Sequence, residues 1–230
     1  MKKLFKEQKG FTLLEVLLSL TILSVVVIGL MSFFHNSYNY VNENEDKAIA
    51  TQIARNVMNY VEKQNYNKLE GYLSYEADSN ENVHIISLNK VYCDKKVTIK
   101  KNNDTPASES TSDDIILFDN VDRCLSILNP VINNEVYSAN ATISIYLMKY
   151  NDFETLSSLS NLISQDALSI RNLPSSIKDL IIHDHENFGN LLQTNEYIRE
   201  HLLKVYVVLE WKDQRDDVVI QGVLSHETIR

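Results

Sequence analysis

Residues 11–34 are almost wholly apolar, and the polar residues then return in a regular beat. The apolar run is about 24 residues, or roughly 36 Å as a helix, enough to cross a bilayer core of about 30 Å. Beyond it, Ile49, Ile53, Val57, Tyr60 and Val61 recur at helical spacing, with Glu43, Asp46, Lys47, Arg55, Asn56 and Glu62 between them. One stripe of a helix is then apolar and the rest is wet. The two halves predict a single helix over about residues 11–63, membrane-like first (11–34) and amphipathic afterwards (35–63).

The pattern then changes to short runs rich in β-branched residues, at 84–88 and 90–100. Such runs predict strands. Residues 102–113 are polar, with Pro106 and several serines, and read as an exposed loop. Residues 114–128 and 136–147 read as further strands, and 141–147 alternate cleanly, as a half-buried strand does. From 152 to about 203 the apolar residues go back to helical spacing. Leu156, Leu159, Leu162, Ile163, Ala167 and Ile170 form one stretch, Ile177, Leu180 and Ile181 a second, and Phe188, Leu191, Leu192, Ile198 and Leu202 a third. Pro174 separates the first two, since it cannot sit inside a helix. Residues 204–211 and 218–225 read as a closing hairpin joined by a polar turn. The fold class expected is α+β: a long N-terminal helix packed on an antiparallel sheet, with a helical insertion at 152–203 before a C-terminal β-hairpin.

Charge adds direction to this picture. The chain carries a formal -9, which repels nucleic acid. Lys2, Lys3, Lys6 and Lys9 precede the apolar run, opposed by Glu7, so removing residues 1–10 takes away a net +3 and leaves -12. By the positive-inside rule the N-terminus lies in the cytoplasm and the bulk of the chain outside. A cleaved secretory signal has a shorter apolar core, of about 7–15 residues, with a small-residue cut site after it. Neither feature fits here, so the apolar segment reads as a retained anchor.

Glu15 breaks the apolar run one turn in. A carboxylate in hydrocarbon costs a few kcal/mol even on lenient insertion scales. It is either a partly wet residue at the interface or a residue kept for a partner. Its surroundings, Lys9-Gly10-Phe11-Thr12-Leu13-Leu14-Glu15, resemble the processing site of the type IV prepilin family. The resemblance covers roughly the first 35 residues. It implies that a prepilin peptidase cuts between Gly10 and Phe11, leaving residues 1–10 as a leader, and N-methylates Phe11. It also implies that Glu15 pairs with the N-terminal amine of a neighbouring subunit and sets axial register. Many members of that family carry a proline further along the helix. None occurs here, and Gly29 is the one weak helix former in its place.

The remaining chemistry is sparse. Cys93 and Cys124 are the only cysteines. Both fall on the outer side of the membrane, where a disulfide tying two strands of the head is one reading and a pair of buried thiols the other. His183-Asp184-His185-Glu186 would offer a metal alternate positions on one face only in a strand, and the stretch reads as a helix end or loop. Asp213, Asp216 and Asp217 read as a polar turn, without the glycine and ordered ligands of a calcium loop. No phosphate loop, nucleophile elbow or zinc motif is present, so neither a cofactor nor an enzyme is expected.

The function expected is a minor type IV pilin. Its partners would be the prepilin peptidase, the cytoplasmic membrane and, through the N-terminal helix, other pilins. Residues 35–230 form the exported head, destined for an extracellular filament. Two alternatives stand: a pseudopilin of a competence or secretion system, and a pilus-borne binding module. The large, irregular head favours a minor over a major subunit, because major subunits must pack identically many times.

Overall fold

A computed structural model of the chain describes residues 12–79, 84–100, 112–132, 135–136, 141–150, 153–165, 167, 170–187, 201–212 and 216–226. Two units divide it, one up to Ala48 and the other from Ile49 onward.

Helix α1 runs over Leu13–Val61, as the apolar and amphipathic halves together predict. In the first unit its side chains are exposed, save for the half-buried Ser37 and Asp46. In the second unit Ala50, Ile53, Ala54, Val57, Met58 and Val61 are buried at the three- and four-residue spacing of a helix face. A second helix, α2 (Tyr66–Ser79), follows after a short turn. Asn65 starts it, its side-chain oxygen accepting from the Lys68 amide at 3.2 Å. Tyr66, Leu69, Tyr72 and Leu73 are its buried face.

The strands are β1 (Ile86–Leu88), β2 (Lys96–Lys100), β3 (Ser112–Ile116), β4 (Val131–Ile132), β5 (Glu135–Val136), β6 (Ala141–Lys149), β7 (Leu202–Trp211) and β8 (Val218–Ser225). Three helices lie between them: α3 (Val121–Leu128), α4 (Phe153–Ser164) and α5 (Ser175–Glu186). The main sheet has four antiparallel strands in the order β1-β6-β7-β8. Its register sets Ile143 beside Leu209 and Val207 beside Ile220. β2 pairs with β3 and β4 with β5 in two small ribbons.

Several expectations need correcting. Residues 90–93 form a 3-10 turn before β2, because the Asn89 side chain accepts from the Val91 amide and closes a turn there. Residues 114–128 are not one strand. β3 ends at Ile116, and Asn120 caps α3 by accepting from the Arg123 amide at 2.8 Å. Cys124, Ile127 and Leu128 then meet the core at helical spacing. The insertion contributes α4 and α5, with Pro174 directly ahead of α5. Its third stretch falls mostly outside the described residues, and Leu202, expected there as helical, instead opens β7.

The central strands are not half-buried. One face of the sheet presents Ile143, Ile145 and Leu147 of β6 with Val205, Val207 and Leu209 of β7 to a core shared with α1 and α2. The other presents Tyr146, Met148, Tyr206 and Val208 to Leu156 and Leu159 of α4 and Ile177 and Ile181 of α5. The sheet is therefore covered on both faces, and α4 and α5 have an apolar core of their own. Ser144, which supplied part of the alternation, is buried as well.

Candidate assembly helix and the sites of the head

The first turn of α1 is built by Thr12. Its hydroxyl oxygen accepts from the Glu15 amide at 3.3 Å, and its carbonyl accepts from the Val16 amide at the same distance. Threonine is a strong helix-starting residue because its side chain satisfies an amide that has no partner within the helix. A Thr-x-x-Glu pattern in the sequence marks such a start, a signal separate from the apolar spacing.

Beyond this turn the polar groups look inward. Ser19 donates to the Glu15 carbonyl at 2.8 Å, Thr21 to the Leu18 carbonyl at 2.8 Å and Ser24 to the Leu20 carbonyl at 2.7 Å. These bonds let hydroxyls enter an apolar medium without an unmet donor. Glu15 is exposed and is the only ionisable residue between Leu13 and Phe34.

Sixteen large apolar side chains in that stretch stand exposed, Leu13 at 79 % and Val25 at 72 % among them. Taking a large apolar side chain out of water is worth about 1.5–3 kcal/mol. Together they amount to tens of kcal/mol, against a few for one carboxylate. A lipid phase or other apolar helices therefore win easily over water, and Glu15 does not prevent it. α1 is also the one helix among the described residues long and apolar enough to cross a membrane. Gly10 and Phe11 lie outside the described residues.

The head holds the cysteines together. Cys93 and Cys124 are joined in a disulfide with a Cα separation of 5.6 Å, and both are fully buried. The bond ties the 3-10 turn to α3, rather than two strands as expected.

The His183 to Glu186 stretch is the last turn of α5. Its imidazole at 183 is 72 % exposed, whereas Asp184 turns inward. Asp184 makes an ion pair with Lys204 of β7 and accepts from the Tyr206 hydroxyl at 3.1 Å. Burial, and then the nearby Asp184 charge, push the Tyr206 hydroxyl well above its ordinary pKa. Nothing in the helical spacing pointed to this pairing, because Lys204 stands in an otherwise apolar strand. Asp217 accepts from Ser176 Oγ at 3.2 Å. Partial burial and the Asp217 charge raise the Glu210 carboxyl above the usual range. Asp213 lies outside the described residues.

The family described as the prokaryotic N-terminal methylation motif matches residues 5–31. No curated protein and no solved structure matches the chain. With the apolar N-terminal helix, the motif supports a type IV prepilin-like protein, of the class that holds pilins and pseudopilins. It implies processing by a prepilin peptidase and assembly with other pilins, and the exposed helix fits membrane anchoring. The motif points to a structural protein.

Proposed function

We propose that the chain is a minor type IV pilin. In this reading the leader, residues 1–10, is removed by cutting between Gly10 and Phe11, and the new terminus at Phe11 is N-methylated. The N-terminus faces the cytoplasm, and the head is exported across the cytoplasmic membrane and then carried into a filament. The matched motif supports this, and so does the disulfide, which persists in oxidising compartments outside the cytoplasm.

The observation that carries the reading is Glu15, a lone exposed carboxylate on an exposed apolar helix. Cutting at Phe11 creates an amine that is charged near neutral pH, and methylation keeps the charge. Two unit charges about 4 Å apart at an effective dielectric of about 20 attract by about 4 kcal/mol. A Glu15 carboxylate beside a neighbour's terminal amine would thus fix axial register between apolar helices that otherwise slide. The minor role is supported by the second helical layer, α4 and α5, which makes the head bulky for identical packing.

The test compares Glu15→Ala and Glu15→Gln at equal membrane levels. Both variants should insert at least as well as the native chain and appear less in filaments. Normal incorporation of both would overturn the register role. Mass spectrometry of the protein from its native membrane should find Phe11 at the terminus with a methyl group, and only full-length chains would contradict the processing step.

A further inference from the structure

His201 and His226 face each other at the open end of the closing hairpin. The β7–β8 ladder ends with Leu202 beside Ser225, and one step beyond it the His226 amide donates to the His201 carbonyl at 3.0 Å. Their rings lie 5.7 Å apart, centroid to centroid, at 76°. Tyr66 of α2 packs edge-on against the His226 ring at 5.2 Å, which fixes how that ring is turned. Both imidazoles are half-buried, so solvent reaches them.

We propose that this cross-strand pair binds one borderline divalent cation: zinc, nickel or copper(II). Neutral imidazole is a common ligand for these ions. The spacing carries the argument. With metal–nitrogen bonds of about 2.05 Å and a tetrahedral angle, two bound imidazole rings have centroids about 5.2 Å apart. The native separation differs by roughly half an ångström, within the reach of small side-chain rotations. Each ring has two nitrogens and gives only one to the metal. The other can then bond within the protein, as metal-bound histidines commonly do. No group of three or more metal-donor side chains gathers among the described residues, so the pair acts as a two-point ligand and water completes the shell. Copper(II) should bind tightest, following the usual order of divalent affinities. The bound ion would clamp the hairpin end beside α2.

Full-length protein in detergent micelles, stripped with a chelator, is titrated calorimetrically with zinc, nickel or copper(II) chloride. One ion should bind per chain. His201→Phe and His226→Phe each keep an aromatic ring in the pair and should each weaken binding by at least about tenfold. Their unfolding temperatures in chelator should match the native protein. The double variant His183→Gln/His185→Gln should bind as the native chain does. Unchanged affinity in both Phe variants, or no binding of any of the three ions at millimolar concentration, overturns the proposal. Loss of binding in the 183/185 variant instead would also overturn it. Should a Phe variant fail to fold, electron paramagnetic resonance of copper on the native chain decides. Coupling to two imidazole nitrogens supports the site, and coupling to none or one refutes it.

Discussion

Lys204 of β7 and Asp184 of α5 form an ion pair between the sheet and its second helical layer, with side chains only 10 % and 16 % exposed. The Tyr206 hydroxyl takes up another acceptor site on the same carboxylate oxygen. Breaking such a pair is far costlier than never having it, because one charge stays behind without its partner. Lys204→Met or Asp184→Asn alone should destabilise the head by about 3 kcal/mol. The double variant Lys204→Met/Asp184→Leu should recover most of that loss. Denaturant unfolding followed by Trp211, the only tryptophan, checks both. Equal losses in the single and double variants would mean that packing, not charge, is what the site contributes.

The disulfide closes a loop between residues 31 positions apart. In the chain-entropy model a loop of this span contributes about 3–4 kcal/mol by restricting the unfolded chain. Cys93→Ala/Cys124→Ala should lower the unfolding free energy by up to about that amount. A non-reducing peptide map of the native protein should show the two cysteines joined.

Glu210 gives the head a pH dependence of known sign. Its carboxyl is raised by partial burial and then by Asp217. The folded state thus holds a proton that the unfolded state releases at about pH 4.3. Stability from this group is present below that pH and is lost as pH rises through the folded value. Glu210→Gln removes the effect, so the variant should melt higher than the native protein at pH 8. The difference should shrink toward pH 4.

Gly222 of β8 lies where α1 crosses the sheet. A Cβ there would come within 3.0 Å of Met58 Cε and 3.1 Å of Glu62 Oε1, and nearer still to the Met58 sulfur. The methionine end is flexible and gives way to a methyl group, so Gly222→Ala should cost about 1 kcal/mol and Gly222→Val about 2–3. Met58→Ala makes room, so the cost of Gly222→Val should be smaller in that background. Thermal melts of the native chain and these four variants test it.

Periodicity made the long helix and the closing hairpin legible, because their apolar spacing is strict over many residues. It failed where a short polar side chain overruled the apolar run. Asn89 and Asn120 each turned an expected strand into a turn or a helix, through one hydrogen bond to a nearby amide. Asn65 likewise caps α2 through one such bond, in a stretch that the apolar spacing leaves unassigned, Gly71 weakening its helical pattern. At the start of α1 the run around Glu15 is plain in the sequence, whereas the Thr12 cap shows in the hydrogen bonds of the first turn. The Lys204–Asp184 pair joins residues 20 apart across two elements, so only the tertiary fold brings them together.

The start of α1 bears on what maturation changes. Among the described residues its earliest amide bonds end on the hydroxyl and carbonyl of Thr12, the second residue past the proposed cut. Cutting there would leave the turn that Thr12 builds intact. Precursor and product would then share one backbone there and differ in electrical character alone, so that cutting acts as a licence to assemble and not as a folding step.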